Sequence, residues 1–392
     1  MMEAVAKKLV VKSSPMLRFG PFKEEWDMTL LGELARVTTG DKDTQNRKEG
    51  GQYPFFVRSD TIERIDTYSY EGKAILTSGD GVGVGKNFHY IDGRFDFHQR
   101  VYCICDFAPG VDAEFVYHYF SQAFYRRVMR MSAKNSVDSV RRDMVVEMPF
   151  PRPTHLEQQK IAAFLSAVDA KVRQLTRKQA LLEQYKKGVM QQLFSRELRF
   201  KRKDGKAYPE WEVKRLGVVG GIITGKTPLT ADADLWGGDI QFITPTDILE
   251  NDKYQHTTQR YVQPHGKLKM LPPHSIVYTC IASIGKMAMT VHPAITNQQI
   301  NAVVPNADIS NEYIYYAMLH LTPSIKATQA NTTLPIINKT EFSKIIVPVP
   351  SLEEQQRIAG FLMALDAKVE AVGKEVEAAQ RWKKGLLQQM FV

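Results

Sequence analysis

An internal repeat constrains the fold of this 392-residue chain more than any other feature of its sequence. The tripeptide Leu-Arg-Phe occurs at 17–19 and again at 198–200, and a glutamate–tryptophan pair ends first at Trp26 and then at Trp211. A longer stretch that begins at Pro151 matches a stretch 197 residues further on. The similarity is strongest at the ends of each copy and weakest in the middle. We therefore predict two tandem copies of one unit of about 180–195 residues.

A long amphipathic helix is predicted at the end of each copy. Thr154 and Ser351 each precede a glutamate by three positions, which is the pattern of a capping box at a helix start. Apolar residues then recur at steps of three and four, interrupted by the polar residues Gln179, Lys186 and Lys383, and this period is typical of a heptad seam. The predicted seam consists of Ile161, Leu165, Val168, Val172, Leu175, Leu182, Ile358, Leu362, Leu365, Val369, Val372, Val376 and Leu386.

Each predicted helix would be about 55–60 Å long at 1.5 Å per residue. No other segment of the sequence supplies an apolar groove of that length. We therefore expect the two helices to pack on each other as an antiparallel coiled coil. The alternative is two separate amphipathic helices, each lying on its own domain.

The middle of each copy shows a different pattern. Short runs rich in β-branched and aromatic residues are bounded by Gly, Asp and Asn, which predicts strands. These runs lie at 74–78, 101–107, 275–282 and 300–305, and two aromatic-rich helices are predicted at 114–131 and 311–326. The predicted fold class is α+β, with two tandem mixed α/β domains separated by the two long helices in a pseudo-twofold arrangement.

The predicted boundaries follow from these patterns. They are an N-terminal tail at 1–16, a first domain at 17–153, a central spacer helix at 154–197, a second domain at 198–350 and a C-terminal spacer helix at 351–392.

The charge balance points to a polyanionic partner. Lys and Arg number 52 against 43 Asp and Glu, which gives a formal net charge of +9 and a pI near 9.2. A surplus of positive charge of this size favours binding of nucleic acid. The alternative is a soluble protein that is basic without such a partner. The sequence contains no apolar run of membrane-spanning length, and we do not expect a secretory signal. The cysteines Cys103, Cys105 and Cys280 suit neither a disulfide scaffold nor a structural zinc site, so we expect a cytoplasmic protein without a metal.

No catalytic residue is predicted in this chain. The glycine-rich run at 79–86 imitates a phosphate loop, but Asp80 and Asn87 stand where that motif needs glycine and Ser or Thr. Asp60 and the segment 71–73, which begins with Glu71, faintly suggest a metal nuclease centre in the first domain, yet the second-copy segment that matches 71–73, residues 265–267, has no carboxylate. The only Pro-Pro pair lacks the flanking residues expected of an amino-methyltransferase.

The doubled motifs resemble the specificity subunit of type I restriction–modification enzymes. The resemblance rests on the Leu-Arg-Phe…Glu-Trp…Leu-Gly segments at 17–32 and 198–217. It rests also on the two helix starts of the form P-x-P-(T/S)-x-x-E-Q-Q-(K/R)-I-A and the two helix ends K-K-G-x-x-Q-Q-x-F.

This resemblance implies a non-catalytic subunit with two target-recognition domains, each reading one half of a bipartite site in double-stranded DNA. The paired helices would act as a spacer and would dock two methyltransferase subunits, with restriction subunits joining through the complex. S-adenosylmethionine, ATP and Mg²⁺ would bind those partner chains and not this one.

Candidate DNA contacts are side chains that can pair with base edges or phosphates. Those in the first domain are Arg58, Ser59, Lys86, Asn87, His98, Gln99, Arg100, Lys134, Asn135, Arg141 and Arg142. Those in the second are Thr244, Thr246, Lys286, Asn297, Gln298, Gln299, Asn301, Asn331, Thr332, Asn338 and Lys339. Positions shared by the copies, such as Gln99 and Gln298, are expected to grip phosphate or support structure. Positions that differ between the copies are better candidates for reading the DNA sequence. The alternative for any one of these residues is a solvated loop residue without a DNA contact.

Two further alternatives stay open. The basic run from Arg196 to Lys206, which includes Arg199, could follow phosphates or could be a solvated linker. The chain could also be a coiled-coil adaptor with two protein-binding domains, and salt dependence would separate this function from DNA binding.

Overall fold

A computed structural model describes residues 14–131, 139–250, 252–264, 268–328 and 335–391. Its α-helices are α1 (Leu31–Leu34), α2 (Ala113–Met131), α3 (Arg142–Val146), α4 (His155–Phe194), α5 (Leu216–Val219), α6 (Asn311–Thr328), α7 (Lys339–Ser343) and α8 (Leu352–Met390).

The strands of the first copy are β1 (Asp27–Leu30), β2 (Arg36–Thr39), β3 (Tyr53–Phe56), β4 (Ile62–Ile65), β5 (Tyr70–Ser78), β6 (Phe88–Phe97), β7 (Val101–Cys105) and β8 (Pro149–Arg152). Those of the second are β9 (Glu212–Arg215), β10 (Gly220–Thr224), β11 (Trp236–Ile243), β12 (Tyr254–Gln255), β13 (Arg260–Val262), β14 (Ile276–Thr279), β15 (Met287–Thr290), β16 (Ala294–Thr296), β17 (Ile300–Pro305) and β18 (Ile346–Val349).

The chain divides into two compact units. Unit 1 comprises Met1–Arg177 with Gly373–Val392, and unit 2 comprises Lys178–Val372. Each unit therefore contains one globular domain, the first half of one long helix and the last half of the other. The order of elements along the chain is similar in the two copies, which confirms the repeat.

Unit 1 is built around a six-stranded sheet in the order β2-β7-β5-β6-β3-β4. Neighbouring strands are antiparallel except β3 and β6, which are parallel. The apolar run in β5 buries Ala74, Ile75 and Leu76 completely, and α2 packs Phe120 and Phe124 into one core with Ile75. A separate antiparallel pair, β1 with β8, precedes α4.

Unit 2 contains a five-stranded sheet, β10-β17-β14-β15-β12, and a three-stranded sheet, β13-β11-β16. Helix α6 places Tyr313, Tyr316 and Met318 in one core with Ile276 of β14. The antiparallel pair of β9 with β18 precedes α8 as β1 with β8 precedes α4. The predicted α+β class is confirmed in both units.

The two long helices have 40 and 39 residues. In unit 1, Leu165 at the start of α4 shares a core with Leu386 at the end of α8. In unit 2, Leu193 at the end of α4 shares a core with Leu362 at the start of α8. The helices are therefore antiparallel where they meet in each unit, as predicted.

The predicted seam is largely buried. Its buried members are Ile161, Leu165, Val168, Leu175, Ile358, Leu362, Leu365, Val372, Val376 and Leu386, whereas Val172, Leu182 and Val369 are half-buried.

The predicted capping boxes are wrong in one respect. Thr154 Oγ1 accepts a hydrogen bond from the Glu157 amide at 3.4 Å, but the Glu157 carboxylate is bound elsewhere. Glu354 in α8 behaves in the same way, and the buried Oγ of Ser351 has no hydrogen-bond partner among the described residues. These glutamates therefore do more than cap their helices.

Candidate nucleic-acid interface

The turn at 98–101 in unit 1 joins β6 to β7. The Val101 amide donates to the His98 carbonyl and the Arg100 amide donates to Nδ1 of His98, both at 2.9 Å. Neighbouring segments anchor the turn, because the His98 amide donates to the Phe56 carbonyl at 2.9 Å and the Gly79 amide to the Arg100 carbonyl at 2.8 Å. The His98 side chain is only 2% exposed, so it fixes the turn from inside.

The protonation state of His98 matters for this turn. Burial, with a smaller contribution from the positive charge of Arg58, lowers the pKa of His98 below its ordinary value. The imidazole is therefore neutral at pH 7, and its unprotonated Nδ1 can accept the hydrogen bond from the Arg100 amide.

The turn at 297–300 in unit 2 joins β16 to β17 and repeats this arrangement. The Ile300 amide donates to the Asn297 carbonyl at 3.2 Å, and the Gln299 amide donates to Oδ1 of Asn297 at 3.1 Å. The anchors also match, because the Asn297 amide donates to the Ile243 carbonyl at 3.1 Å and the Cys280 amide to the Gln299 carbonyl at 2.8 Å. A buried amide side chain thus does in unit 2 what a buried imidazole does in unit 1.

The second residue of the turn is an exposed glutamine in both units. Gln99 Nε2 donates to Oδ2 of Asp43 at 3.3 Å. Gln298 Oε1 accepts from the hydroxyl of Thr227 at 2.7 Å. Each glutamine therefore ties its turn to the loop that follows the first strand of the main sheet.

The third residue differs between the units and changes the local charge. Arg100 Nε lies 3.8 Å from Oδ2 of Asp80, and Arg58 Nη1 lies 3.2 Å from Oδ1 of the same carboxylate. In unit 2 the third residue of the turn is the neutral Gln299. Asp80 forms an isolated β-bridge in unit 1, and Ile281 forms the equivalent bridge in unit 2. The turn of unit 1 is thus flanked by the cations Arg58 and Arg100 and by the carboxylates of Asp80 and Asp43, whereas neutral residues occupy the positions of Arg100 and Asp80 in unit 2.

A shallow cavity of about 580 Å³ lies beside this cationic group in unit 1. Arg58, Ser59 and Asn87 line it together with the glycine-rich loop. Asn87 Nδ2 donates to the Arg58 carbonyl and to the Ser78 hydroxyl, each at 3.4 Å, which holds the wall of the cavity in place. Ser59 and Arg58 are exposed, so they are available to a ligand.

Lys86 and Lys286 occupy matching positions of the two copies, and each follows a glycine whose backbone adopts the left-handed conformation. Gly85 has φ of 65° and precedes the exposed Lys86, and Gly285 has φ of 94° and precedes the half-buried Lys286. In unit 2 the Lys286 amide donates to Oγ1 of Thr279 at 2.9 Å. The shared position therefore has a role in turn geometry.

A buried carboxylate joins the start of unit 1 to its long helix. Arg18 donates to Glu157 through Nε to Oε1 at 2.6 Å and through Nη2 to Oε2 at 2.7 Å. Trp26 Nε1 donates to Oε2 of Glu157 at 3.2 Å. Sequence analysis missed this group, although its arginine, tryptophan and glutamate are all members of the repeated motifs.

Unit 2 contains the same group. Arg199 donates to both carboxylate oxygens of Glu354, at 3.2 and 3.1 Å, and Trp211 Nε1 donates to Oε2 at 3.0 Å. Arg199 therefore has a structural partner and is not a free cation of a phosphate-tracking linker.

The neighbouring glutamines make a second repeated link. Gln158 Oε1 accepts from the Asp112 amide and Gln355 Oε1 accepts from the Ser310 amide, both at 2.9 Å. Each glutamine thereby ties its long helix to the loop before the aromatic helix α2 or α6. The repeated E-Q-Q motif thus fixes each globular domain to a helix start.

Comparison with known proteins agrees with this doubled architecture. The family model described as "Type I restriction modification DNA specificity domain" matches residues 23–184 and again residues 208–379. The chain belongs to this family. The two matched segments are the two copies that the internal repeat predicts.

Relatives in this specificity family differ in how much of their length is matched. The type I restriction enzyme MjaIX specificity subunit of Methanocaldococcus jannaschii is 32% identical over 209 residues, which are 51% of this chain and 48% of that relative. The chain thus matches about half of that relative's length. The type I restriction enzyme EcoDI specificity subunit of Escherichia coli is 22% identical over 92% of this chain and 85% of its own length.

A solved structure supports the fold. The crystal structure of the type I restriction-modification system S subunit from M. genitalium aligns with a TM-score of 0.66 and 18% identity. The alignment covers 97% of this chain and 99% of that chain.

Three of the DNA contacts predicted for this specificity-family chain are buried in the structure. His98 and Asn297 are buried within their turns. Asn301 is 2% exposed, its Oδ1 accepts from Thr224 Oγ1 at 2.6 Å and its Nδ2 donates to Cys280 Sγ at 3.2 Å. The polar atoms of these side chains form hydrogen bonds inside the protein.

Other predicted contacts form local hydrogen bonds, and of these Arg142 and Asn338 are exposed whereas Thr244 is half-buried. Arg142 donates to the Val37 carbonyl at 3.3 Å, and Asn338 caps α7 by accepting from the Glu341 amide at 2.9 Å. The Thr244 hydroxyl donates to Oδ2 of Asp247 at 2.6 Å.

The structure does not gather the remaining candidates into one group. Arg141 lies beside Asp143, and Thr246 and Lys339 are exposed. The predicted contacts Lys134, Asn135, Asn331 and Thr332 lie outside the described residues.

Neither a metal centre nor a membrane span emerges from the described part of the chain. Its His, Cys, Asp and Glu side chains form no group of three or more that could hold a metal ion. Its helices lack the combination of length and hydropathy needed to cross a bilayer.

Proposed function

We propose that this chain is the DNA-recognition subunit of a type I restriction–modification complex, with each globular domain reading one half of a bipartite site in double-stranded DNA. The repeated turn carries the proposal. The same hydrogen-bonded frame occurs at 98–101 and 297–300, but it presents different side chains in the two units. A constant frame with variable side chains is what two recognition domains for two different half-sites require.

Electrostatics support the assignment of DNA as the ligand. The net charge of the chain is +9. In unit 1 the exposed cations Arg58, Lys86 and Arg100 lie on loops around a shared cavity and turn. Neutralisation of phosphates by such side chains provides most of the affinity of non-specific DNA binding.

The helices offer matching surfaces for two copies of one partner. Tyr185 and Trp382 occupy equivalent positions of the repeated K-K-G motifs, and they are 54% and 55% exposed. Aromatic side chains are enriched in protein–protein interfaces. We propose that two methyltransferase subunits dock here and that restriction subunits join through the complex.

The same proposal assigns chemistry to the partners. S-adenosylmethionine, ATP and Mg²⁺ would bind the partner subunits, and this chain would contribute recognition without catalysis. Residues 17–153 and 198–350 would act as target-recognition domains, with the segments at 154–197 and 351–392 as spacers.

Salt-dependent DNA binding tests the proposal. Binding of the full chain to a randomised duplex library should weaken by about 10³-fold or more between 50 and 200 mM salt if six or more phosphates are contacted. A triple variant, Arg58→Gln, Lys86→Gln and Arg100→Gln, should bind more weakly and show a shallower salt dependence. Absence of DNA binding at low salt would reject the proposal and favour the adaptor function, since a largely apolar protein contact depends little on salt.

A further inference from the structure

We infer that Arg100 and Gln299 are specificity-determining residues at equivalent positions of the two recognition domains, Arg100 for guanine and Gln299 for adenine. The inference rests on the proposed function and deepens it by naming the base that each turn selects.

The backbone places these two residues in the same local frame. Each is the third residue of its turn, and its amide donates to the side chain of the first residue. Its carbonyl accepts from the amide of Gly79 in unit 1 and of Cys280 in unit 2. Because both hydrogen bonds are shared, the two side chains leave the backbone from the same point of the fold.

The other residues of the turn cannot account for a difference between half-sites. The first residue, His98 or Asn297, is buried. The second is glutamine in both units, and Gln99 and Gln298 are both tied to a neighbouring loop. Within the turn, only the third residue differs between the units without being fully buried, since Arg100 is exposed and Gln299 is half-buried.

Arg100 is placed to make an exchangeable contact. Its side chain is 66% exposed, and its ion pair with Asp80 has a separation of 3.8 Å. An exposed pair of this kind contributes little energy, so the guanidinium can leave it for a base. Asp80 also holds Arg58, which limits the positions that both cations can adopt before DNA arrives.

Gln299 is oriented by the first residue of its own turn. Its Oε1 accepts from Asn297 Nδ2 at 3.0 Å, which orients the amide and leaves its NH₂ group and the second lone pair of Oε1 for a ligand. Ile281 stands where unit 1 has Asp80, so no carboxylate competes at that position.

The chemistry of the two side chains then selects the bases. Arginine donates two hydrogen bonds to O6 and N7 of guanine, whereas glutamine accepts from N6 and donates to N7 of adenine. The half-site of unit 1 should therefore contain a guanine at the position that the half-site of unit 2 fills with adenine.

Selection from a randomised duplex DNA library with the full chain tests this inference. The Arg100→Gln variant should lose its preference for guanine at one position of one half-site by about tenfold or more. The other half-site should not change. Arg94→Gln is the matched control, because Arg94 is also an exposed arginine of unit 1 with one carboxylate partner, Glu71 at 2.8 Å.

The reciprocal variant tests the second residue. Gln299→Arg should replace adenine by guanine at one position of the other half-site. Arg100→Lys provides a further variant, since it keeps the charge but not the paired donors, and it should retain affinity while losing guanine preference. Circular dichroism of each variant shows whether it is folded.

The outcomes separate this inference from the proposed function. A wild-type chain that enriches no sequence would overturn both. A wild-type chain that enriches a bipartite motif, which folded Arg100→Gln and Gln299→Arg variants leave unchanged, would overturn only the assignment of these two residues.

Discussion

Lys383 forms an ion pair with Asp169, and this contact joins the end of α8 to the start of α4 within unit 1. Lys186 and Asp366 form the equivalent pair within unit 2, between the end of α4 and the start of α8. Both lysines are among the polar interruptions of the predicted seam. A polar residue at a seam position stabilises less than an apolar one, but it restricts the helices to a register in which its partner is opposite.

Replacement of one member of this pair should cost more stability than replacement of both. Lys383→Met leaves the Asp169 carboxylate, which is 12% exposed, without its cation, and we expect a loss of about 1–3 kcal/mol in the free energy of unfolding. The double variant Lys383→Met with Asp169→Leu should recover most of that loss. Urea unfolding followed by tryptophan fluorescence measures both. Additive effects of the two substitutions would show that the residues are not coupled.

The Glu157 carboxylate should be essential for the stability of unit 1. Glu157 is fully buried and accepts from Arg18 and Trp26, so Glu157→Gln removes the charge that compensates a largely buried guanidinium. We expect a loss of about 2–4 kcal/mol in the free energy of unfolding. Glu49→Gln is the control, because Glu49 is exposed, and its effect should stay within about 0.5 kcal/mol. Equal stability of the two variants would contradict the structural role of Glu157.

His118 should make the stability of unit 1 depend on pH. Burial lowers the pKa of His118 to about 4, and this effect exceeds the opposing effect of the nearby Asp169. Between about 6.5 and about 4 the unfolded chain therefore binds more protons than the native chain, so stability falls as the pH falls through this window. The loss from this group is at most about 3 kcal/mol. A pH series of urea unfolding should show a shallower decline for His118→Gln, and an unchanged decline would contradict the assignment.

The first residue of the turn at 98–101 should tolerate the exchange that the two units already display. His98→Asn should preserve the turn of unit 1, since Asn297 accepts the same amide hydrogen bond in unit 2. His98→Ala removes the acceptor and should weaken binding of DNA by about three- to tenfold, in line with the loss of one hydrogen bond. Electrophoretic mobility measures the affinity of both variants. Equal affinities for His98→Ala and His98→Asn would exclude a positioning role.

The repeated motifs predicted the architecture because their period is visible in the sequence. The steps of three and four between Ile161 and Leu182 predicted a long helix with one apolar face, and α4 has that face. The predicted strand at 275–282 is shorter in the structure, where β14 ends at Thr279. The Cys280 amide then donates to the Gln299 carbonyl, and Ala282 adopts φ of 60°. Both features depend on tertiary contacts that a local sequence pattern does not contain.

The surroundings of the candidate DNA contacts were less predictable than the fold. His98 and Asn301 have the polarity of DNA-binding residues, but polarity alone does not tell a surface group from a buried one whose hydrogen bonds are satisfied inside. The Arg18–Glu157 contact joins residues 139 positions apart. Its only sequence signal was the recurrence of both residue types in the second copy.

The central claim is that each globular domain reads its own half of the DNA site. The most direct measurement is the methylation motif in cells that carry this chain with its methyltransferase partner, before and after residues 27–150 are replaced by the same region of a related family member. We predict a bipartite motif in which the exchange alters one half and leaves the other intact. Alteration of both halves, or of neither, would contradict the claim.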